Sequence, residues 1–130
     1  MAGRNSGRHL ERATCEICMK LPSLNEYIGK CRANRYQAAK YKADIERDIG
    51  YYINRLPRFK HPVVIHFTWC EKNKRRDCDN VAFAKKFVLD SMVRHGKLED
   101  DSPKYVVGFT DNFLYGNENK VIMTVQEVKE

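Results

Sequence analysis

The run Val63-Val64-Ile65-His66-Phe67-Thr68-Trp69 leaves this chain few ways to fold. Its β-branched and aromatic residues favour an extended backbone, and the two-residue period puts Val63, Ile65, Phe67 and Trp69 on one face. So apolar a face must be covered, and the run predicts an interior strand with other elements packed on it. His66 falls on the opposite face and reads as a hydrogen-bonded side chain rather than a metal ligand, because no partner histidine stands at ligand spacing.

Upstream, apolar residues at Ala38, Tyr41, Ile45, Ile49, Tyr52/Ile53 and Leu56 recur every three or four positions, which predicts a helix over 36–56 ended by Pro57. Its other face, with Lys40, Lys42, Asp44, Glu46, Arg47 and Asp48, reads as solvated. Downstream, Val81, Ala84, Val88 and Met92, widened by Phe83 and Phe87, predict a second helix over 80–95 with Gly96 as its stop. A short strand is expected over 14–20, before Leu21-Pro22-Ser23, with Ser23 or Asn25 free to cap the next segment. Two more strands, over 105–110 and 121–128, are expected to form a terminal hairpin, with Phe113, Leu114 and Tyr115 in the loop between them. The order β-α-β-α-β-β implies an α/β (α+β) fold: one small domain over residues 13–130, with a mixed sheet packed against two main helices. Residues 1–12 read as a flexible basic arm.

With 130 residues, 42% apolar and 32% charged, the chain is long enough to bury one core and is neither collagen-like nor low-complexity. No apolar run approaches the ~20 residues of a membrane-spanning helix, and the N-terminus lacks the apolar core of a signal peptide, so a soluble cytoplasmic protein is expected. The net charge of +7 is unevenly spread: residues 1–60 hold 13 Lys and Arg against 6 Asp and Glu, whereas residues 61–130 hold 11 of each. A basic half calls for an anionic partner, nucleic acid first and a membrane surface second, with a merely solubilising charge as the alternative. The five cysteines, Cys15, Cys18, Cys31, Cys70 and Cys78, are expected to be reduced thiols, and Cys15 and Cys18 lie on a strand rather than in a zinc knuckle.

The segment Lys72-Asn-Lys74-Arg75-Arg76-Asp77-Cys78-Asp79-Asn80 joins the interior strand to the second helix. Four cations lead into two carboxylates, and in extended chain residues two apart point the same way, so Asp77 and Asp79 can share one hard cation. The alternative is that Asp79 caps the helix and Asp77 pairs with Arg76. A second cluster, Glu99-Asp100-Asp101, lies beyond the helix and reaches the first pair only if the chain folds back; otherwise it is a solvated turn. Lys86 and Asp90 fall near whole turns from Asp79, on one helix face, and are themselves four residues apart. A lysine there could stabilise charge on a bound phosphodiester. Lys72, Lys74, Arg75 and Arg76 are nominated as phosphate contacts, with a solvated loop as the alternative.

Together, Leu21-Pro22-Ser23-Leu24-Asn25-Glu26-Tyr27, Asp77-Cys78-Asp79-Asn80, Lys86-Phe-Val-Leu-Asp90 and Glu99-Asp100-Asp101 resemble, in order, the RusA-type endodeoxyribonucleases, the Holliday-junction resolvases common in phages and prophages. The resemblance covers about residues 14–128. It implies a Mg²⁺- or Mn²⁺-dependent endonuclease of DNA recombination and repair, in a bacterial or phage-infected cell, that cuts four-way junctions as a homodimer without an organic cofactor. It assigns the metal to Asp77, Asp79 and Asp101 and the catalytic lysine to Lys86, aligned back from Asp90. Phe83 occupies the place, one turn after the aspartate pair, where the family carries that lysine, so Lys85 is the alternative and a DNA contact in its own right. Apart from the resemblance, two other readings fit the residues: a nucleic-acid-binding module without catalysis, and a nuclease acting on other branched DNA or on RNA.

Overall fold

The computed structural model describes residues 9–129. It is one mixed four-stranded sheet with helices against one face: β1 (Arg12–Ile17), α1 (Leu24–Ala33), α2 (Arg35–Ile53), β2 (Val63–Glu71), α3 (Cys78–Ala82), α4 (Lys85–Arg94), β3 (Val106–Tyr115) and β4 (Lys120–Glu127). The strand order is β1-β4-β2-β3. No helix among the described residues is long and apolar enough to cross a membrane.

β2 is the interior strand its alternation requires. Val63, Ile65, Phe67 and Trp69 are all buried, while Val64, His66, Thr68 and Cys70 on the other face are only half-buried. His66 Nδ1 lies 2.6 Å from Thr110 Oγ1, a partner on the neighbouring strand. The core continues through Val121, Met123 and Val125 of β4 to Ile45, Ile49 and Ile53 of α2 and Phe87, Val88 and Met92 of α4. α4 stops at Gly96, whose φ of 75° lets Lys97 N–H reach back to Met92 O at 2.8 Å and Gly96 N–H to Val93 O at 3.1 Å.

The expected terminal hairpin does not form. β4 runs antiparallel to β2 along one edge and to β1 along the other, whereas β3 runs parallel to β2 on its opposite edge. The reason lies in the side chains. β4 alternates buried and half-buried residues and has a buried face to place between two neighbours; β3 is exposed along most of its length and takes the edge. The chain therefore crosses the end of β2 between them, held by Gly116 N–H to Glu71 O and Lys72 N–H to Asn119 Oδ1. Phe113, Leu114 and Tyr115 lie within β3, not in a loop.

The expected arm falls mostly on residues 1–8, outside the described residues. Glu11 and Arg12 are already tied to the sheet, Glu11 through backbone and side chain of Glu127. The segment after Pro22 is a helix of its own, α1, started by a capping box in which Ser23 Oγ accepts from Glu26 N–H and Glu26 accepts from Ser23 N–H. The second expected helix is two helices, joined at Phe83 and Ala84 by a tight turn with Lys86 N–H to Phe83 O and Phe87 N–H to Ala84 O.

Candidate metal and nucleic-acid site

The site begins where β2 ends. Arg76 donates to both carboxylate oxygens of buried Glu71, from Nε at 2.9 Å and Nη2 at 2.7 Å, and its Nη1 reaches Leu21 O at 2.9 Å and Glu26 Oε1 at 3.0 Å. The Ser23 N–H, aided by the Arg76 guanidinium, holds the Glu26 carboxyl below its usual range. One two-pronged arginine thus ties the end of the central strand to the start of α1 and fixes the backbone immediately before Asp77. This revises its nominated role: its donors are committed inside the protein, and it positions the loop rather than meeting a phosphate.

The other three cations of the loop are placed differently. Lys72, Lys74 and Arg75 are exposed, and none makes an ion pair within 4 Å among the described residues. Lys74 Nζ lies 5.2 Å from the centre of the Tyr115 ring. Arg75 N–H is held by Asn73 Oδ1 in a local turn, which shapes the loop without using its guanidinium.

Neither structural alternative for the aspartates is realised, and neither is the extended chain on which their expected common direction rests, because Asp79 lies inside α3 while Asp77 precedes it. The helix-capping position of α3 is Asp77, not Asp79, and the Asp77 side chain makes no capping bond; Arg76 pairs with glutamates instead. Asp79 sits in the first turn, where Oδ1 accepts only the N–H of Asn80 at 3.0 Å. Both side chains are exposed. Among the described residues, Asp77, Asp79, Asp100 and Asp101 are without a cationic partner, while the other acids are in ion pairs, Glu127 excepted, whose carboxylate takes three backbone N–H groups.

The second part of the site lies beyond α3, whose five residues span about 7 Å. An open cavity of about 300 Å³ is lined by Asp101 together with Phe83, Lys85, Lys86, Leu89 and Phe109. Asp101 and both candidate lysines therefore meet in one place. Lys85 Nζ is 2.7 Å from Asp111 Oδ2 and 4.6 Å from the centre of the Phe109 ring; Asp111 Oδ1 also accepts Trp69 Nε1–H at 2.9 Å. Lys86 is more exposed and holds Asp90 at 3.4 Å, a carboxylate already bound by Lys42 at 2.9 Å. Burial pushes Asp90 up, but the two lysines outweigh it and its carboxyl stays below the usual range. Lys85 is locked to one carboxylate, whereas Lys86 shares its partner and is the freer ammonium. Since the turn at Phe83 and Ala84 separates α3 from α4, Asp79 does not continue the Lys86–Asp90 face as one straight helix would require. Of the later acidic cluster, Glu99 pairs with Arg58 at 2.7 Å and Asp100 is exposed.

Among the described residues no three His, Cys, Asp or Glu side chains are gathered closely enough to hold a metal ion together. The donor chemistry of Asp77 and Asp79 nevertheless fits a hard divalent cation, since Mg²⁺ commonly takes one or two carboxylates and keeps water in its remaining positions. Asp111, Glu71 and Glu26 were not singled out by sequence; the signal for Asp111 was a charge spaced evenly between Phe109 and Phe113, the pattern of a strand face. No family model matches this chain, and no curated protein matches it at a significant level.

Proposed function

We propose that the chain is a Mg²⁺- or Mn²⁺-dependent, structure-selective DNA endonuclease of the RusA type, resolving four-way junctions as a homodimer. The observation that carries this reading is the state of the loop before α3. Among the described residues, three exposed cations and two exposed carboxylates stand within eight residues without an ion pair, where most other acids have a partner. An exposed ion pair is worth little, so keeping these charges apart costs the fold almost nothing and leaves them available to a phosphate backbone and a cation.

In this reading Asp77 and Asp79 hold the cation; the resemblance assigns Asp101 to the same metal, which requires it to close on the pair from the cavity it lines with Lys85 and Lys86. The bound cation supplies charge neutralisation at the scissile phosphate and activation of water for in-line hydrolysis. Lys72, Lys74 and Arg75 bind flanking phosphates and set the register of the strand. Lys86 offers its ammonium to the charge that develops on the phosphodiester oxygens, and Arg76 holds Asp77 in place. A junction needs two symmetric nicks, and one chain has one such site, so two copies related by a two-fold axis meet the requirement. The edge strand β3 supports that assembly: it carries Val107, Phe109, Leu114 and Tyr115, four of the six exposed large apolar residues among the described residues.

The test is incubation with labelled four-way junctions, linear duplex and RNA, in Mg²⁺ and in EDTA. Metal-dependent cutting selective for the junction is expected. Junction binding without cutting in either Mg²⁺ or Mn²⁺ would establish a binding module instead, and preferential cutting of RNA would overturn the substrate.

A further inference from the structure

A second concave site lies at the other end of the helical layer. α2 and α4 run side by side in the same direction, with Lys42 against Asp90, Glu46 against Ser91 and Arg94, and Gly50 against His95. Their C-terminal ends border an open depression of about 590 Å³ lined by Arg47, Gly50, Tyr51, Tyr52, Arg55 and His95, about 15 Å along α4 from Lys85. That volume is in the range of small-ligand sites.

The lining combines groups that a solvated helix end does not need together. Tyr51 is 80% exposed, the more exposed ring of an edge-to-face pair with Tyr52 whose centres are 5.2 Å apart. Tyr52 is anchored through its hydroxyl to Cys18 O at 3.3 Å, so the pair is braced from below. Arg55 has no acidic partner among the described residues. Arg47 reaches Asp44 and Asp48 of its own helix, exposed pairs that cost little to exchange for another anion. His95 is oriented by Nδ1, 2.8 Å from Ser91 O, and its outer ring edge lies so close to α2 that a Cβ at position 50 would collide with Cε1 and Nε2. Glycine in mid-helix is unfavourable by roughly 1 kcal/mol, and here it makes room for the ring.

We infer that this cavity is a binding site for a nucleotide unit of single-stranded DNA, with the base stacked on Tyr51 and the phosphate held by Arg55 and Arg47. Stacking on an exposed aromatic beside a guanidinium is how unpaired bases are held without regard to sequence, and both groups are present in one concavity. A bare anion site would use the arginines alone. The site is separate from the aspartate loop and does not depend on cleavage.

Fluorescence anisotropy with a labelled short oligothymidylate in EDTA tests this. Tyr51→Ala should weaken binding about tenfold and Tyr51→Phe should bind like the wild type, because the phenyl face is kept. Arg55→Gln should lower the salt slope of log K by about 0.7, one phosphate contact on a single strand. Unchanged affinity in both Tyr51→Ala and Arg55→Gln would overturn the assignment. So would displacement of the oligonucleotide by millimolar inorganic phosphate with no effect of Tyr51→Ala, the signature of an anion site without a base.

Discussion

Glu127 shows how much one side chain can decide. It is the last residue of β4, 2% exposed, and its Oε1 accepts from Glu11 N–H at 2.7 Å while Oε2 accepts from Lys60 N–H at 2.6 Å and His61 N–H at 3.0 Å. Burial raises its pKa, but the three donors outweigh burial and hold the carboxyl below its usual range. A depressed carboxyl stabilises the fold above the unfolded value, roughly pH 4.3, and that contribution is lost as pH falls through the folded value. Glu127→Gln places an NH₂ against a backbone donor and should cost about 2 kcal/mol in urea unfolding at neutral pH, with a shallower acid limb. The two lysines of the cavity make a second residue-scale contrast. Lys86→Ala should lower the cleavage rate while leaving the melting temperature near that of the wild type, since its partner Asp90 keeps Lys42. Lys85→Ala should instead lower the melting temperature, because Asp111 loses its cation beside buried Trp69. The reverse pattern in paired kinetic and melting measurements would exchange their roles.

Elements were legible where a single periodicity covered them. The alternation of Val63, Ile65, Phe67 and Trp69 and the three-to-four spacing from Ala38 to Ile53 each describe one face against one core, and β2 and α2 follow. The break between α3 and α4 was not legible, because Phe83 and Ala84 keep the apolar stripe and neither Gly nor Pro marks the turn. Nor was the partner of β3: pairing in a sheet is decided by which strands have buried faces to share, and a short polar connection between two strands does not carry that information. The helix α1 has a short apolar stripe and no buried residue, so its legible signal was the cap. Ser23→Ala removes that cap and, through Glu26, loosens Arg76; it should cost about 1 kcal/mol by chemical denaturation. A change below the error of the measurement would mean that Glu71 and Leu21 O hold Arg76 without help from Glu26.

For the whole molecule, the sheet is the frame on which the candidate residues are placed. The end of β2 sets the basic loop, α3 carries the chain to the cavity, and β3 brings Asp111 and the apolar edge beside it. The candidate aspartates were readable as an unusual cluster of charges, but their freedom from ion pairs was not, because it depends on Glu71 and Glu26 occupying Arg76 from elsewhere in the chain. If two such molecules act on one junction, sedimentation equilibrium at micromolar concentration should give about 31 kDa, twice the 15.3 kDa of one chain. A strict monomer, free and on DNA, would remove paired nicking as the mechanism. The unpaired carboxylates at the start of α3 carry the proposed chemistry, and they are tested most directly by Asp79→Asn on a labelled four-way junction in Mg²⁺, with binding and cutting followed in the same samples. The variant should bind the junction as tightly as the wild type and leave it uncut; cutting at a near-wild-type rate would contradict the assignment of the metal to this site.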